Sequence, residues 1–399
     1  MNTNTVEIEI INCVGFRAGG YSQVWPVQIH RAHQNLVDTL DPKGPYLAIK
    51  RLISRDKLHF NIETEFLEKL SQRDDPHLIK LLATYKFKSS YHLVFPYAKE
   101  NLREYWTSVD MPYWNRETAL WFLRQICGLV AALNAIHNFD LGGSAAVVND
   151  TGNPTLERFS RYRNVRLSVE DREKKYGRHG DLKPENILRS EGPQGSKNAG
   201  VLQITDFGLG RFHRFESRSR QDPKTISGSP TYAPPEIALG KPVSRAYDIW
   251  SLGCIFLEFI TWLLEGSQGF KDFNAARMLL AEDNIITDDI YFTLITPTDP
   301  PNAPPEAVVR EGVLKWIGRL RQNSRCSEMS LSFLDLIEQS MLKIDSSRRI
   351  SAQLLVTKIR QMLYRGEHEA GYLLGRNNLV IDAFSGMKHP KAYDVPFVI

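Results

Sequence analysis

The sequence has few cysteines, little net charge and no long uninterrupted hydrophobic run. Its four cysteines lie far apart, which excludes a Cys-x-x-Cys site and favours free thiols in a reducing compartment. Lys and Arg number 50 against 46 Asp and Glu, an excess too small for a dedicated nucleic-acid binder. The longest apolar stretch, residues 254–264, is interrupted by Glu258 and is shorter than the roughly 20 residues that span a bilayer. Since the first residues also lack a signal-peptide pattern, we expect a soluble cytoplasmic or nuclear protein with no membrane partner.

The composition is that of a folded protein. Hydrophobic residues make up 42% of the 399 residues, enough to bury a core, and the length suits two or three units or one large enzyme with insertions. Strand signals dominate the first 95 residues, with one helix near residues 61–70. Helical stripes follow, and residues 245–264 are apolar enough for a buried helix. This order predicts a two-lobed α+β protein.

One stretch carries most of the chemical information. Asp181, Lys183 and Asn186 stand in His-Gly-Asp-Leu-Lys-Pro-Glu-Asn, and Asp206 opens an Asp-Phe-Gly sequence 20 residues after Asn186. Both carboxylates adjoin apolar runs, so we expect them to project from loops into a cleft. One carboxylate can accept a proton from an attacking hydroxyl, while the other, with the Asn amide oxygen, holds a divalent cation on phosphate oxygens.

These motifs resemble those of eukaryotic-type protein kinases, and they occur in that family's order over residues 8–365. Some details are similar to a group of kinases from filamentous fungi. The resemblance implies a kinase-like fold, ATP and Mg²⁺ as cofactors, and protein substrates. The predicted parts are a β-rich N-lobe (8–95), a hinge (96–98), a mainly helical C-lobe (99–365) and a tail (366–399). The C-lobe contains an inserted basic segment (139–178).

The resemblance also assigns the catalytic roles. It makes Asp181 the catalytic base, Lys183 the residue that neutralises charge on the transferred phosphoryl group, and Asn186 and Asp206 the magnesium ligands. Lys at position 183 is more typical of Ser/Thr kinases than of Tyr kinases. We therefore expect transfer to Ser/Thr hydroxyls of proteins.

Lys50, in Ala-Ile-Lys, resembles the strand lysine that neutralises the α- and β-phosphates. Its acidic partner is expected on the following helix. Glu63 fits best, because Leu67 and Leu70 then follow at four and seven residues on the inward face. Glu65 is the alternative, since extra residues after the helix blur the register.

The nucleotide-binding pattern is less regular. Of the glycine loop's pattern only the middle glycine, Gly19, is kept; Arg17 and Ser22 stand at the outer glycine positions. At the hinge, Pro96 lacks an N–H but keeps its carbonyl, and Ala98 keeps its N–H, so both positions are compatible with adenine binding. The positions that the resemblance implies for the nucleotide are Gly19, Gly20, Ser22, Val24, Ala48, Lys50, Phe95, Pro96 and Ala98.

Three further positions are expected to be structural. Glu236 should form a buried ion pair with Arg349, and Asp248 should anchor the catalytic loop from the central helix.

Gly180 stands where the family often has an Arg that binds phosphate on the activation segment. We therefore predict that activity does not require phosphorylation of Thr225.

Two other functions stay open. The His-Gly-Asp run also occurs in small-molecule phosphotransferases of the aminoglycoside and choline kinase type, and the irregular glycine loop would suit a catalytically inactive kinase-fold scaffold.

Residues 157–178 hold eight Lys and Arg against four acids. We interpret this basic cluster as solvated loops near a site that attracts ATP, and docking of acidic proteins or nucleic acid as the alternative.

Overall fold

An antiparallel sheet forms the N-terminal part of the protein, in the strand order β1-β2-β3-β5-β4. The structure is a computed structural model that describes residues 17–18, 22–30, 45–52, 57–139, 177–190, 200–206, 231–280, 286–297 and 304–374. The strands of this sheet are β1 (Arg17–Ala18), β2 (Ser22–Gln28), β3 (Tyr46–Leu52), β4 (Ala83–Phe87) and β5 (Ser90–Pro96).

Alternation along β3 separates the two faces of this sheet. Leu47 and Ile49 lie on one face, where they form a small apolar cluster with residues of β2 and β5. Ala48 and Lys50 lie on the other face, which is turned toward the main core. Helix α1 (Lys57–Ser71) contributes Leu67 and Leu70 to that core, and it begins four residues earlier than the sequence predicts.

The remainder is mainly helical, which confirms the predicted two-lobed α+β fold. A small antiparallel sheet of β6 (Glu100–Asn101), β7 (Ile187–Ser190) and β8 (Val201–Ile204) lies at the junction with the N-terminal part. The helices are α2 (Leu102–Ser108), α3 (Arg116–His137), α4 (Pro235–Ala238), α5 (Ala246–Arg277), α6 (Glu311–Arg321), α7 (Glu328–Leu336) and α8 (Ala352–His368). The remaining short strands are β9 (Leu279–Leu280), β10 (Ile286–Asp288), β11 (Phe292–Ile295) and β12 (Glu306–Val309).

Helix α5 is the centre of the helical part. By length and composition alone, α3 and α5 could each cross a bilayer. In α5, however, 94% of the most apolar 18-residue stretch is buried inside the protein. The helix is interrupted at Gly266, whose φ of +71° and ψ of −164° are not helical, and a second helical stretch runs from there to Arg277. A β-carbon there would lie 2.1 Å from the carbonyl oxygen of Asp110, while the N–H of Ser267 donates to that oxygen at 2.7 Å. Only glycine fits this contact, which packs α5 against the loop after α2.

The two lobes are joined at a second place besides the predicted hinge. The N–H of Ile204, at the end of β8, donates to the carbonyl of His77 at 2.8 Å, and the N–H of Ile79 donates to the carbonyl of Ile204 at 3.1 Å. The Gln203 side chain adds a bond to the carbonyl of Pro76 at 2.9 Å. The loop after α1 is therefore hydrogen-bonded to the strand that leads into Asp206.

Beyond α8, the chain packs back onto the helices. Tyr372, Leu373 and Leu374 are buried, and the N–H of Met329 in α7 donates to the carbonyl of Tyr372 at 3.0 Å. These residues belong to the predicted tail, residues 366–399, of which 375–399 lie outside the described ranges.

Candidate active site

The segment from residue 179 to residue 186 forms a compact loop around Asp181. The ammonium of Lys183 lies 2.9 Å from Oδ2 of Asp181, and Nδ2 of Asn186 donates to the carbonyl of Asp181 at 2.8 Å and to its Oδ2 at 3.2 Å. Pro184 begins a single 3₁₀ turn, and its fixed φ suits that position. The three predicted side chains are therefore together, and the half-buried Asp181 and Lys183 remain accessible from the cleft.

Asp248, on the first turn of α5, holds the start of this loop. Its fully buried carboxylate accepts the N–H groups of His179 and Gly180, both at 2.8 Å, and lies 2.9 Å from Nε2 of His137. Burial acts to raise the pKa of Asp248, but the hydrogen bond and charge of His137, with His179 and Gly180, outweigh burial and lower this pKa. The predicted anchoring role of Asp248 is confirmed.

The side chain of His179 connects the loop around Asp181 to the chain that leads into Asp206. Its Nε2 lies 2.8 Å from the carbonyl of Thr205, while its Nδ1 accepts the N–H of Asp181 at 3.2 Å. Gly180, between the two, has a φ of +76°, where an L side chain is strained. The histidine ring thereby joins the Asp181 loop to the residue before Asp206.

Asp206 and Lys50 meet across the cleft between the lobes. The Lys50 ammonium is buried and lies 2.6 Å from Oδ1 of Asp206, whose side chain is 42% exposed. Partial burial favours a raised pKa for Asp206, but the charge and hydrogen bond of Lys50, helped by His179 and Lys183, lower this pKa. Asp206 is therefore an ionised carboxylate that faces the cleft.

Of the two candidate acidic partners of Lys50, Glu63 and Glu65, the structure describes only the side chain of Glu65. Glu65 lies on an exposed part of α1, and its carboxylate is 2.6 Å from the ammonium of Lys69. The side chain of Glu63 lies outside the described residues. Glu63 therefore stays the predicted partner of Lys50.

Four of the side chains predicted to line the nucleotide site share one face of the N-terminal sheet. Val24 is paired with Lys50, and Ala48 with Phe95, so these four side chains project from the same face as neighbours. Phe95 is buried, while Val24 and Ala48 are half-buried.

The other nucleotide positions lie at the edges of this face. Pro96 is the last residue of β5, and the half-buried Ala98 follows it two residues later. Gly19 and Gly20 lie outside the described residues, and so does the side chain of Ser22. The glycine loop therefore stays a prediction.

The donor set at the cleft suits a magnesium ion bound with phosphate. Asn186 turns its amide nitrogen toward Asp181, so its amide oxygen could serve as a metal ligand. The N–H of Thr205, the residue before the ionised Asp206, donates to the carbonyl of Asn186 at 3.0 Å. The described residues contain no cluster of three His, Cys, Asp or Glu that would form an all-protein metal cage. Mg²⁺ needs no such cage, since it keeps water and phosphate oxygens among its ligands.

Residues 174–359 match the family described as Protein kinase domain. This region is a eukaryotic-type protein kinase domain. Among curated relatives, the chain is 41% identical over 103 residues to a serine/threonine-protein kinase H1 homolog of Danio rerio, which covers 25% of this chain and 21% of that protein. It is 46% identical over 82 residues to cyclin-dependent kinase 2 of Caenorhabditis elegans, which covers 20% and 19%. The aligned stretches thus span about a fifth of the length of these relatives.

The predicted ion pair of Glu236 and Arg349 is present in the C-terminal part of the kinase domain. The two side chains meet in a bidentate arrangement with N–O distances of 2.8 and 2.7 Å, and both are buried. Arg349 also donates to the carbonyls of Lys343 at 2.7 Å and Ala246 at 3.0 Å. This pair fixes α4 against the segment before α8, which confirms its structural role.

Several side chains that shape the site could not be recognised from the sequence. His137, at the end of α3, is the third partner of Asp248, and Arg103, on α2, lies 3.0 Å from the carboxylate of Glu185 in the catalytic loop. Neither residue stands in a recognisable motif. Their roles depend on tertiary contacts between elements more than 80 residues apart, for which the sequence carries no local signal.

Proposed function

We propose that the protein transfers the γ-phosphoryl group of ATP to Ser or Thr hydroxyls of protein substrates. The observation that carries this proposal is the arrangement of Asp181, Lys183 and Asn186 beside the ion pair of Lys50 and Asp206. A dead scaffold would commonly lack at least one of these five groups. The matched family supports phosphoryl transfer between ATP and proteins rather than small molecules.

The residues divide the work by charge. Asp181 accepts the proton of the substrate hydroxyl as that oxygen attacks, and Lys183, 2.9 Å from it, offsets negative charge on the transferred group. Lys50 binds the α- and β-phosphates, and Asn186 and Asp206 hold the metal ion. When bound, Mg²⁺ would neutralise charge on the phosphate oxygens.

Radiolabelled ATP tests this proposal. Purified protein is incubated with a protein substrate mixture, and label transfer is compared for wild type, Asp181→Asn and Asp272→Asn, the last an exposed control on α5. We expect transfer to protein by wild type and the control, and none by Asp181→Asn. ATP binding without transfer by wild type would support the scaffold, and label only on small molecules would support the other phosphotransferase class.

We also propose that this activity does not depend on a phosphate at Thr225. Thr225 lies outside the described residues, and the proposal is based on Gly180, which supplies no cation before the catalytic Asp181. Thr225→Ala should keep its turnover within about twofold of wild type, while a loss of most of the turnover would contradict the proposal.

A further inference from the structure

Arg103 lies in a mostly buried cluster of charges behind the catalytic loop. From α2, its guanidinium reaches the carboxylate of Glu185 at 3.0 Å and that of Glu258 at 3.5 Å. It also donates to the hydroxyl of Tyr232, which in turn donates to Glu258 at 2.7 Å. One arginine thus joins three parts of the kinase domain: the catalytic loop, α5 and the segment before α4.

The charges of this cluster balance. Glu258 is fully buried, and it lies 3.1 Å from Arg277 as well as near Arg103. Two guanidinium groups therefore face the two carboxylates of Glu258 and Glu185, which makes a buried carboxylate tolerable. Burial, with the nearby charge of Glu258, raises the pKa of Tyr232 well above its ordinary value, so this hydroxyl stays a donor.

Glu185 is the member of the cluster that adjoins the reaction site. It is the middle residue of the 3₁₀ turn, between Pro184 and Asn186, and its side chain is 42% exposed. Within the described residues, the Glu185 carboxylate forms an ion pair with Arg103. Since Asn186 is bonded to both the carbonyl and the carboxylate of Asp181, the position of this turn determines the position of the catalytic base.

We propose that Arg103 is a positioning residue for phosphoryl transfer, which acts through Glu185. Asp248 holds the start of the catalytic loop at Gly180, and Arg103 holds its end at the 3₁₀ turn. With both ends fixed, Asp181 keeps its place relative to the cleft. This inference depends on the proposed kinase activity.

A double-mutant cycle tests it. The variants are Arg103→Met, Glu185→Ala and their combination, with Arg319→Met as the control, because Arg319 is an exposed arginine whose ion pair with Glu265 is remote from the loop. Glu185→Ala should lower kcat by about 10- to 100-fold and Arg103→Met by at least as much, with the KM for ATP within about twofold of wild type in both. The combined variant should lose no more than Arg103→Met, since the contact that Glu185→Ala removes is already broken in Arg103→Met.

Three results would overturn the proposal. They are a wild-type kcat for Glu185→Ala, losses that multiply in the combined variant, and an effect confined to the KM of peptides with a basic residue, which would make Glu185 a substrate contact. Should Arg103→Met fail to fold, Glu185→Ala remains a sufficient test, because the half-exposed Glu185 carries little of the fold.

Hydrogen exchange separates this proposal from the kinase proposal. The N–H of Asn186 donates to the carbonyl of Lys183 at 2.9 Å, and it should exchange faster in Glu185→Ala than in wild type or Arg319→Met. Unchanged exchange would refute the positioning role even in an inactive protein. Wild type without transfer activity, but with faster exchange in Glu185→Ala, would refute only the proposed reaction.

Discussion

Asp248→Asn tests how much the fold depends on one buried carboxylate. Oδ1 of Asp248 accepts the N–H of Gly180, and Oδ2 serves both His179 and His137. An asparagine keeps one oxygen, so its best orientation retains the two histidine contacts and turns an NH₂ group toward the N–H of Gly180. That buried N–H then has no acceptor.

The magnitude follows from these three bonds. An unsatisfied buried N–H costs about 1–3 kcal/mol, and each of the other two bonds loses about 1 kcal/mol when its acceptor becomes neutral. The free energy of unfolding should therefore fall by about 3–5 kcal/mol, a large part of a typical domain's stability. Because Gly180 directly precedes Asp181, kcat should also fall by about 100-fold.

Urea unfolding followed by tryptophan fluorescence measures the first effect, and phosphoryl transfer measures the second. Asp272→Asn, an exposed aspartate on the same helix, is the matched control and should change neither quantity. A stability loss below about 1 kcal/mol, with unchanged exchange of the Gly180 amide, would refute the reasoning.

Three other experiments test the charged groups. Lys50→Met should lower kcat by about 100-fold or more, because it removes the cation of the nucleotide face, while Lys69→Met on the exposed side of α1 should leave kcat unchanged. Arg349→Met should lower the free energy of unfolding by about 3–5 kcal/mol in urea titrations, since it leaves the buried Glu236 carboxylate unpaired, and a change under about 1 kcal/mol would contradict this. The stability that Asp248 contributes should be complete above the ordinary aspartate pKa of about 3.9 and lost as the pH falls through its lower folded-state pKa. Thermal melts at decreasing pH should thus show a smaller acid loss for Asp248→Asn than for wild type.

The local parts of the site could be predicted from the sequence, because their geometry is set by spacing along the chain. Asp181, Lys183 and Asn186 lie within six residues, and one 3₁₀ turn is enough to bring them together. Asp248 could be predicted because it stands in a motif of its own. Arg103 could not, since an arginine on an amphipathic helix usually faces solvent, and only the folded chain places a carboxylate on either side of it.

Helix boundaries show the same limit. The sequence predicts a buried helix over residues 245–264, where the apolar pattern of α5 ends. The helix does break at Gly266, but a second helical stretch follows it to Arg277, and the loop carbonyl of Asp110 accepts the N–H of Ser267 at the break. The sequence contains the glycine but not the neighbour that makes it useful.

The backbone bonds between residues 77–79 and Ile204 have a mechanical consequence. Within the described residues, the backbone holds the N-terminal part to the helical part at these bonds and at residues 96–98. A body attached at two points can rotate about the line that joins them, but it cannot translate away from its base. Opening and closing of the cleft should therefore be a rotation about this axis, with Lys50 swinging toward or away from an Asp206 that stays near the pivot.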